Sequence, residues 1–221
     1  MRRLKASRIL VGVLTAGGLT ACQVTPHLHH EARLTDISHL ESGIHLDIRY
    51  ATTRNVTGRV LYPQARALLL DEPAKALVRA HHNLGRQGYG ILVYDAYRPW
   101  RVTLSLWDSA SAADRQGGYV ANPALGSRHN RACAVDVGLY DLHTGKTVIM
   151  PTEFDDFTER AHADWPGGSV EARQHRDLLR QTMEAEGYKV LANEWWHFNY
   201  RDCDQQPVLD IPFEAIAPDA P

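Results

Sequence analysis

The sequence predicts an α+β fold, with a small antiparallel sheet flanked by helices in a single domain. Three observations support this class. Strand-like and helical segments alternate irregularly along the chain, no internal repeat is present, and 221 residues is a usual length for one domain. A hydrophobic fraction of 44%, with five tryptophans, is enough to build a substantial core.

Four segments have the patterns expected of strands in this sheet. Residues 44–50 alternate between apolar and polar side chains, which is typical of a half-buried strand, and residues 90–94 form a short apolar run. In the strand predicted over residues 134–140 the valines and the leucine share one face, whereas Ala134, Asp136 and Gly138 on the opposite face are small apart from the carboxylate. That second face leaves space for a ligand or a metal ion. Residues 195–201 are expected to form the last strand.

Three segments have helical periodicity. Residues 74–87 place alanine and leucine on one face, with Asp71 as the expected N-cap and a glycine after the end. Pro99 fits the first turn of a second helix, which continues to Trp107. Residues 169–186 form the third helix, which is capped by its own first residue, a serine, and followed by a glycine.

The charge balance excludes one class of partner. Lys and Arg number 24 and Asp and Glu number 26, so the formal net charge is −2. Binding to nucleic acid requires a basic stripe that matches the phosphates, and the sequence contains no such stripe. We therefore expect no nucleic-acid partner.

The first 21 residues have the layout of a signal peptide. Basic residues at positions 2, 3, 5 and 8 precede an apolar run that begins at Ile9 and is too short and too rich in glycine to be a stable membrane span. The ending Leu19-Thr20-Ala21-Cys22 resembles the lipobox of bacterial lipoproteins, in which the cysteine is acylated and becomes the mature N-terminus. An ordinary signal peptide with a cysteine near the cleavage site is the alternative.

The resemblance to a lipobox sets the expected domain organisation and location. Residues 1–21 are the signal peptide, residues 22–35 an N-terminal tether, and residues 36–221 the folded domain. Gln23 provides no signal for retention at the inner membrane, so a periplasmic protein anchored in the outer membrane is favoured over one anchored in the inner membrane. The lipid on Cys22 is expected to be the only contact with a membrane.

Two cysteines follow Cys22 in the sequence, Cys133 and Cys203. In an oxidising periplasm a single disulfide between them is compatible with the sequence, and so are two buried free thiols. The position of Cys133 near a histidine does not by itself make it a metal ligand. Both alternatives remain open at this stage.

Residues in two distant segments have the identities that catalytic zinc requires. Zinc usually takes three protein ligands from imidazoles and a carboxylate and leaves one position for water, and His129, Asp136 and His197 supply that set. Glu194 lies three residues before His197 and is placed to act on the water as a base. Since residues at odd spacing on a regular strand face opposite sides, the segment must bend or begin as a loop at Glu194.

Each motif has an ordinary structural explanation when it is taken alone, whereas together they resemble the VanX-type D-alanyl-D-alanine dipeptidases. That family is part of a zinc peptidase group with the D,D-carboxypeptidases and the Hedgehog N-terminal domain. The motifs Ser-x-His-(x)6-Asp at residues 127–136 and Glu-x-Trp-His at residues 194–197 are specific to the wider group. Tyr-Ala-Thr at residues 50–52, Tyr-Arg-Pro at residues 97–99 and Phe-Asp-x-Phe at residues 154–157 are closer to the dipeptidases.

The resemblance implies the chemistry of the site. His129, Asp136 and His197 are the implied ligands of one Zn²⁺ per chain, and Glu194 is the implied general acid and base. Arg98 matches the arginine that stabilises negative charge on the scissile carbonyl oxygen. The expected reaction is direct attack by water without a covalent intermediate.

The resemblance also implies how a substrate is bound. Ser127 matches a residue near the substrate carboxylate, and Asp155 and Tyr50 match positions near the free amine, which a dipeptidase has to recognise. Two positions depart from the family pattern. Ala132 replaces a glycine, and Pro151 stands where the family has glycine after a methionine, in the loop that carries Asp155.

The expected function is therefore the zinc-dependent hydrolysis of D-alanyl-D-alanine to two D-alanines, in the turnover of cell-wall peptides. A D,D-carboxypeptidase that acts on peptidoglycan stem peptides shares the metal core and is the first alternative. A non-catalytic, zinc-stabilised lipoprotein that binds the cell wall is the second alternative. The presence of Glu194 and Arg98 argues against this non-catalytic protein, because both residues serve hydrolysis.

Overall fold

The computed structural model of the chain describes residues 33–217. In chain order the strands and helices are β1 (Leu34–Asp36), α1 (Ile37–Leu40), β2 (His45–Leu46), β3 (Leu68–Leu70), α2 (Asp71–Gly85), β4 (Tyr89–Asp95), α3 (Trp100–Ser109), α4 (Ala112–Gly117), β5 (Ala134–Asp141), α5 (Val170–Ala185), β6 (Tyr188–Leu191) and β7 (Glu194–Tyr200). None of the helices in this described part has the length and apolar character needed to cross a membrane.

The main sheet has five strands in the order β2-β4-β5-β7-β6. The pairs β4–β5, β5–β7 and β7–β6 are antiparallel, whereas β2 runs parallel to β4. Parallel pairing needs a long crossover, and α2 lies in the connection from β2 to β4. The predicted α+β class is confirmed, and the sheet differs from the prediction in being mixed at one edge. β1 and β3 form a separate antiparallel pair.

The two long helices, α2 and α5, pack against the sheet and against each other. The third predicted helix is confirmed as α5, where the Ser169 side chain accepts a hydrogen bond from the Ala172 backbone N–H at 3.0 Å. In α2, Asp71 is the first helical residue instead of the cap, and Leu70 takes the N-cap position. The Asp71 carboxylate pairs with Lys75 Nζ at 2.7 Å, one turn along the helix.

The strand predicted over residues 44–50 is much shorter in the structure, where only His45 and Leu46 pair with β4. The chain then turns into a 3-10 helix at Arg49–Ala51. Local polar contacts favour this turn, because Asp47 accepts a hydrogen bond from Arg49 Nε at 2.8 Å. The turn buries the Tyr50 side chain, which is 3% exposed.

Cys133 and Cys203 form a disulfide, with their Cα atoms 5.5 Å apart. This observation decides between the two alternatives that the sequence left open. Cys133 immediately precedes β5 and Cys203 follows β7, so the disulfide links the ends of two neighbouring strands.

The N-terminal predictions lie largely outside the described residues. The signal peptide over residues 1–21 and the lipidation site Cys22 are both in that part of the chain. Of the predicted tether, residues Leu34 and Thr35 belong to β1 and are buried. The folded part therefore begins before the predicted boundary at residue 36.

Candidate active site

The three predicted metal ligands meet at the centre of the sheet. Asp136 on β5 is directly opposite His197 on β7, and His129 lies in the 3-10 helix that precedes β5. His129 Nε2 is 3.0 Å from His197 Nδ1 and 3.3 Å from Asp136 Oδ1, and His197 Nδ1 is 2.9 Å from that same oxygen. Burial alone would raise the pKa of Asp136, but the neighbouring imidazoles hold it well below its usual range.

The hydrogen bond made by the second nitrogen of each imidazole indicates that His129 Nε2, His197 Nδ1 and Asp136 Oδ1 suit a metal ion. His129 Nδ1 donates to the Ala96 carbonyl at 2.7 Å, and His197 Nε2 donates to Asn199 Oδ1 at 2.9 Å. Because a carbonyl oxygen can only accept, a neutral His129 carries its proton on Nδ1 and has a lone pair on Nε2. Two imidazole lone pairs and a carboxylate oxygen therefore face one point, where a cation removes their mutual repulsion.

The separations also fit zinc in particular. Nitrogen and oxygen atoms bound tetrahedrally to zinc at about 2.0–2.1 Å are roughly 3.3 Å from one another. The three ligand atoms all lie within 4.8 Å of one another, and their side chains are buried. Among residues 33–217 no other group of three or more such side chains has this geometry.

Glu194 reaches the same centre because β7 is irregular at its start. Opposite β6, the pairing moves from Val190–Phe198 to Leu191–Glu194, so the bend that the sequence requires is present. Glu194 Oε2 lies 4.0 Å from His197 Nδ1. Burial raises the pKa of Glu194 to about 8, so this carboxyl group is able to hold a proton near neutral pH.

Arg98 is held in the cleft by Asp95, a residue whose role sequence patterns did not reveal. Asp95 Oδ2 accepts hydrogen bonds from Arg98 Nε at 3.0 Å and from Arg98 Nη2 at 2.6 Å. Asp95 Oδ1 accepts from the Tyr62 hydroxyl at 2.7 Å. Burial opposes the charge of Arg98, but Asp95 keeps the pKa of the guanidinium well above its usual value. The one available sequence signal is the position of Asp95 at the end of an apolar run, three residues before Arg98.

Two residues predicted to bind the substrate amine are adjacent. The Tyr50 hydroxyl is 3.3 Å from Asp155 Oδ2, and the Arg98 guanidinium lies 5.0 Å from the centre of the Tyr50 ring. Burial, together with the charge of Asp136, raises the pKa of Asp155 to about 7. An ammonium group beside Asp155 would favour its charged form.

Ser127, the residue predicted to lie near the substrate carboxylate, is buried beside His129, a predicted metal ligand. Its Oγ accepts a hydrogen bond from the His129 backbone N–H at 3.2 Å. The Ser127 backbone N–H donates to Asn130 Oδ1 at 2.7 Å, so the position of the hydroxyl is fixed by the turn itself.

Three hydrogen bonds join the Arg98 segment to the segment of the first metal ligand. His129 Nδ1 donates to the Ala96 carbonyl at 2.7 Å, and the Arg98 backbone N–H donates to the His129 carbonyl at 3.1 Å. Asn130 Nδ2 donates to the Arg98 carbonyl at 2.8 Å. Arg98 and the His129 ring are therefore held by one support, which is formed by residues 96–98 and 129–130.

A single cleft of about 420 Å³ includes every predicted site residue in the described part of the chain. Those residues are Tyr50, Arg98, Ser127, His129, Asp136, Asp155, Glu194 and His197. The stacked rings of Tyr119 and Phe157, 5.1 Å apart, form an aromatic wall of the cleft. Phe157 belongs to the Phe-Asp-x-Phe motif, but sequence patterns identified neither Tyr119 nor the pairing of the two rings. These two residues belong to separate loops, and no local pattern relates them.

The two departures from the family pattern lie outside the ligand set. Ala132 has a φ of 53°, a left-handed conformation that glycine adopts at lower cost. Its backbone N–H donates to the His129 carbonyl at 3.1 Å and its carbonyl accepts from Leu70 N–H at 2.8 Å, so the turn is held despite the methyl group. Pro151 does not line the cleft.

Comparisons with known proteins are consistent with this site. A family model described as peptidase M15, D-ala-D-ala dipeptidase, matches residues 30–215. The D-alanyl-D-alanine dipeptidase of Escherichia coli (strain K12) is 34% identical over 183 residues, which cover 83% of this chain and 92% of that protein. The D-alanyl-D-alanine dipeptidase of Enterococcus faecium is 33% identical over 191 residues, covering 78% and 93%. Among solved structures, a vancomycin resistance D,D-pentapeptidase VanY in complex with Zn(II) has a TM-score of 0.41 and 15% identity, covering 65% of this chain and 78% of that chain.

Proposed function

The chain belongs to the peptidase M15 family of D-ala-D-ala dipeptidases, and from this premise we propose that it hydrolyses D-alanyl-D-alanine to two D-alanines with one zinc ion. The observation that carries the proposal is the convergence of His129, Asp136 and His197 on one point, with the Glu194 carboxyl group 4.0 Å from His197 Nδ1. This arrangement supports hydrolysis, because a non-catalytic zinc site needs no acid beside the ligands.

Each charged side chain of the cleft has a separate task in the proposed reaction. When bound, zinc supplies a Lewis acid that polarises the scissile carbonyl and lowers the pKa of water. Glu194 takes a proton from the attacking water and gives it to the leaving amine. Arg98 directs its N–H groups at the oxygen that becomes negatively charged, and Asp95 keeps the guanidinium in place.

Recognition of a free dipeptide is proposed for the groups around Asp155. The Asp155 carboxylate and the Tyr50 hydroxyl are suited to bind an ammonium group, which an N-acylated stem peptide lacks. Ser127 is proposed to donate its hydroxyl proton to the carboxylate at the other end of the dipeptide. An enzyme that binds both charged ends at a fixed separation acts on dipeptides and excludes longer chains.

One experiment tests the activity and separates it from the alternatives. The purified protein is assayed for metal content and for hydrolysis of D-Ala-D-Ala, L-Ala-L-Ala and N-acetyl-D-Ala-D-Ala. We expect about one zinc per chain and turnover of the free D,D-dipeptide. Turnover of the acetylated form instead would identify a D,D-carboxypeptidase, and bound zinc without any turnover would identify a non-catalytic protein.

The location of the enzyme is a further part of the proposal. We propose a periplasmic lipoprotein that is anchored through Cys22, in the outer membrane, and serves the turnover of cell-wall peptides. The disulfide between Cys133 and Cys203 supports an oxidising compartment. Metabolic labelling with a palmitate analogue tests the anchor: we expect label on the wild type and none on Cys22→Ala, and label that persists in the variant would refute it.

A further inference from the structure

The active-site cleft extends beyond the groups that a D-Ala-D-Ala molecule needs. The dipeptide has only about eleven non-hydrogen atoms, whereas clefts of roughly 300–1,000 Å³ hold drug-sized ligands. The cleft volume of about 420 Å³ is within that range. Its lining also includes Trp107 of α3, Arg115 of α4, and Asn122 and Leu125 in the loop that follows. We call these four residues the outer subsite.

Arg115 is the cation of the outer subsite. Its guanidinium lies 5.0 Å from the centre of the Trp107 ring, and its Nη2 donates to the Asp108 carbonyl at 3.3 Å. These two contacts fix the guanidinium beside the cleft. Arg115 Nε is buried and has no hydrogen-bond acceptor among residues 33–217, so the protein does not complete the hydrogen bonding of this group.

The other two arginines of the cleft already have carboxylate partners. Arg98 pairs with Asp95 at 2.6 Å, and Arg128 pairs with Asp204 at 3.1 Å. Within the described part of the chain Arg115 has no carboxylate at ion-pair distance. An anion that enters the cleft therefore finds one cation that needs a partner.

The acidic residues that line the cleft all come later in the sequence than its three arginines. The acids that line it are Asp136, Asp155 and Glu194, which belong to the metal centre and the proposed amine site. Ser127, the proposed carboxylate contact, is only two residues after Leu125 of the outer subsite, so the two positions are close in space. The carboxyl end of a bound dipeptide is thus expected to point towards the outer subsite.

Helix geometry places the outer subsite away from Arg98. α3 begins two residues after Arg98, and Trp107 lies seven residues further on, which is roughly 10 Å along the axis. An acidic side chain on the C-terminal residue extends a dipeptide further along the cleft than the methyl group of alanine does.

We propose that the outer subsite binds an acidic side chain on the C-terminal residue of the dipeptide, with Arg115 as its counter-ion. This inference rests on the proposed dipeptidase function and names a further substrate class, the D-alanyl dipeptides that end in an acidic D-residue. An arginine and a carboxylate form paired, charge-assisted hydrogen bonds, so a neutral isostere of the acid is expected to bind less tightly.

The test compares D-Ala-D-Glu with D-Ala-D-Gln, which differ in charge and hardly in shape. The kcat/KM ratio of the two dipeptides is measured for the wild type, for Arg115→Met and for Arg180→Met. Arg180 is a control for the loss of one surface charge, because it lies on α5 and pairs with Glu184 at 3.1 Å. We expect a ratio of about 10 in the wild type and in Arg180→Met, and a ratio of about 1 in Arg115→Met.

Two outcomes would overturn the proposal. One is a ratio that Arg115→Met leaves unchanged. The other is an equal loss for D-Ala-D-Glu, D-Ala-D-Gln and D-Ala-D-Ala in Arg115→Met, which would assign the arginine to the α-carboxylate.

A binding measurement separates this inference from the proposed function. Calorimetric titration of the two dipeptides into zinc-loaded Glu194→Gln, with and without Arg115→Met, reads the preference without turnover. A preference for the acid that disappears with Arg115 would support the outer subsite even if the wild type failed to hydrolyse D-Ala-D-Ala. No preference in the presence of Arg115 would overturn it.

Discussion

Asp95 and Arg98 form a buried ion pair in which one carboxylate oxygen accepts two hydrogen bonds from the guanidinium, at 3.0 and 2.6 Å. The second oxygen of Asp95 is occupied by the Tyr62 hydroxyl and by the Ala96 backbone N–H, at 2.7 and 2.9 Å. Both oxygens of the carboxylate therefore have hydrogen-bond donors. We expect Asp95 to fix the direction in which the remaining N–H groups of Arg98 point.

We predict that Asp95→Asn lowers kcat about 10–100-fold with little change in KM. The amide keeps the size of the side chain but removes the charge that orients Arg98, and hydrogen bonds to charged groups contribute about 1.5–3 kcal/mol. Steady-state kinetics on D-Ala-D-Ala measures the changes in kcat and in KM separately. Asp210→Asn is the control, since Asp210 pairs with Arg101 on the surface at 2.9 Å. Equal kinetics of the two variants would contradict the positioning role.

Glu194→Gln is predicted to retain zinc and to lose turnover by about 10²–10⁴-fold, the usual contribution of a general acid or base. The amide cannot accept the proton of water, while the three ligand side chains are unchanged. His197→Ala is the contrasting variant and should lose the metal as well. Metal analysis and kinetics on the same samples decide, and a Glu194→Gln protein with substantial activity would exclude the assigned role.

Asn199→Ala is predicted to weaken zinc binding about 10–100-fold. Asn199 Oδ1 accepts a hydrogen bond from His197 Nε2 at 2.9 Å, and this contact keeps the lone pair of Nδ1 directed at the metal. Competition with a chelator of known affinity measures the change. Asn83→Ala, which removes a contact to Glu186 at 2.7 Å, is the control. Unchanged zinc affinity in Asn199→Ala would show that another contact orients the ring.

The pKa of Asp155, raised by burial to about 7, predicts a pH dependence of stability in the metal-free protein. A carboxyl group with a higher pKa in the folded state binds its proton more tightly when folded. Its contribution is therefore complete below pH about 4, the range of an unfolded aspartate, and is lost as the pH rises through about 7. We expect the difference in unfolding free energy between wild type and Asp155→Asn to decrease across this range.

Urea unfolding at a series of pH values, in the presence of a chelator, measures that difference. Asp156→Asn is the neighbouring control, because Asp156 pairs with Arg160 near the surface at 3.1 Å. If the difference in unfolding free energy between wild type and Asp155→Asn stays constant with pH, Asp155 has the same pKa in the folded and unfolded states.

The disulfide is predicted to stabilise the protein by about 2–4 kcal/mol, as is typical for a cross-link between distant residues. Cys133 and Cys203 are 70 residues apart in sequence. The double variant Cys133→Ala/Cys203→Ala should unfold at lower denaturant concentration. Either single variant should lose as much, because one cysteine cannot form the bond. An unchanged midpoint, with the wild type verified as oxidised by mass spectrometry, would contradict this expectation.

The side chains that meet in the cleft, His129, Asp136, His197, Glu194 and Arg98, could be singled out from sequence because they belong to motifs within short segments. The strand predicted over residues 44–50 is too long, because the alternation of apolar and polar residues does not reveal the contact between Asp47 and Arg49 that favours a turn. The residue pattern of β2 also could not indicate that its neighbouring strand, β4, runs parallel to it. Pairing of strands depends on the course of the chain between them.

The role of Asp95 and the disulfide could not be predicted because both depend on contacts between residues far apart in sequence. The Tyr62 hydroxyl bonds to Asp95 across 33 residues of sequence, and no local pattern encodes that contact. For Cys133 and Cys203 the composition allowed both states, and only the 5.5 Å separation of their Cα atoms decides between them. Long-range contacts of this kind arise from the packing of the whole sheet.

The three hydrogen bonds between residues 96–98 and residues 129–130 have a consequence for how the enzyme tolerates motion. Because these hydrogen bonds tie the two segments together, we expect thermal movement of the sheet to shift His129 and Arg98 together and to leave the gap between them nearly constant. A reacting carbonyl has to span that gap with one oxygen. Mutations elsewhere in the sheet can therefore soften the protein considerably before they change the rate of the chemical step.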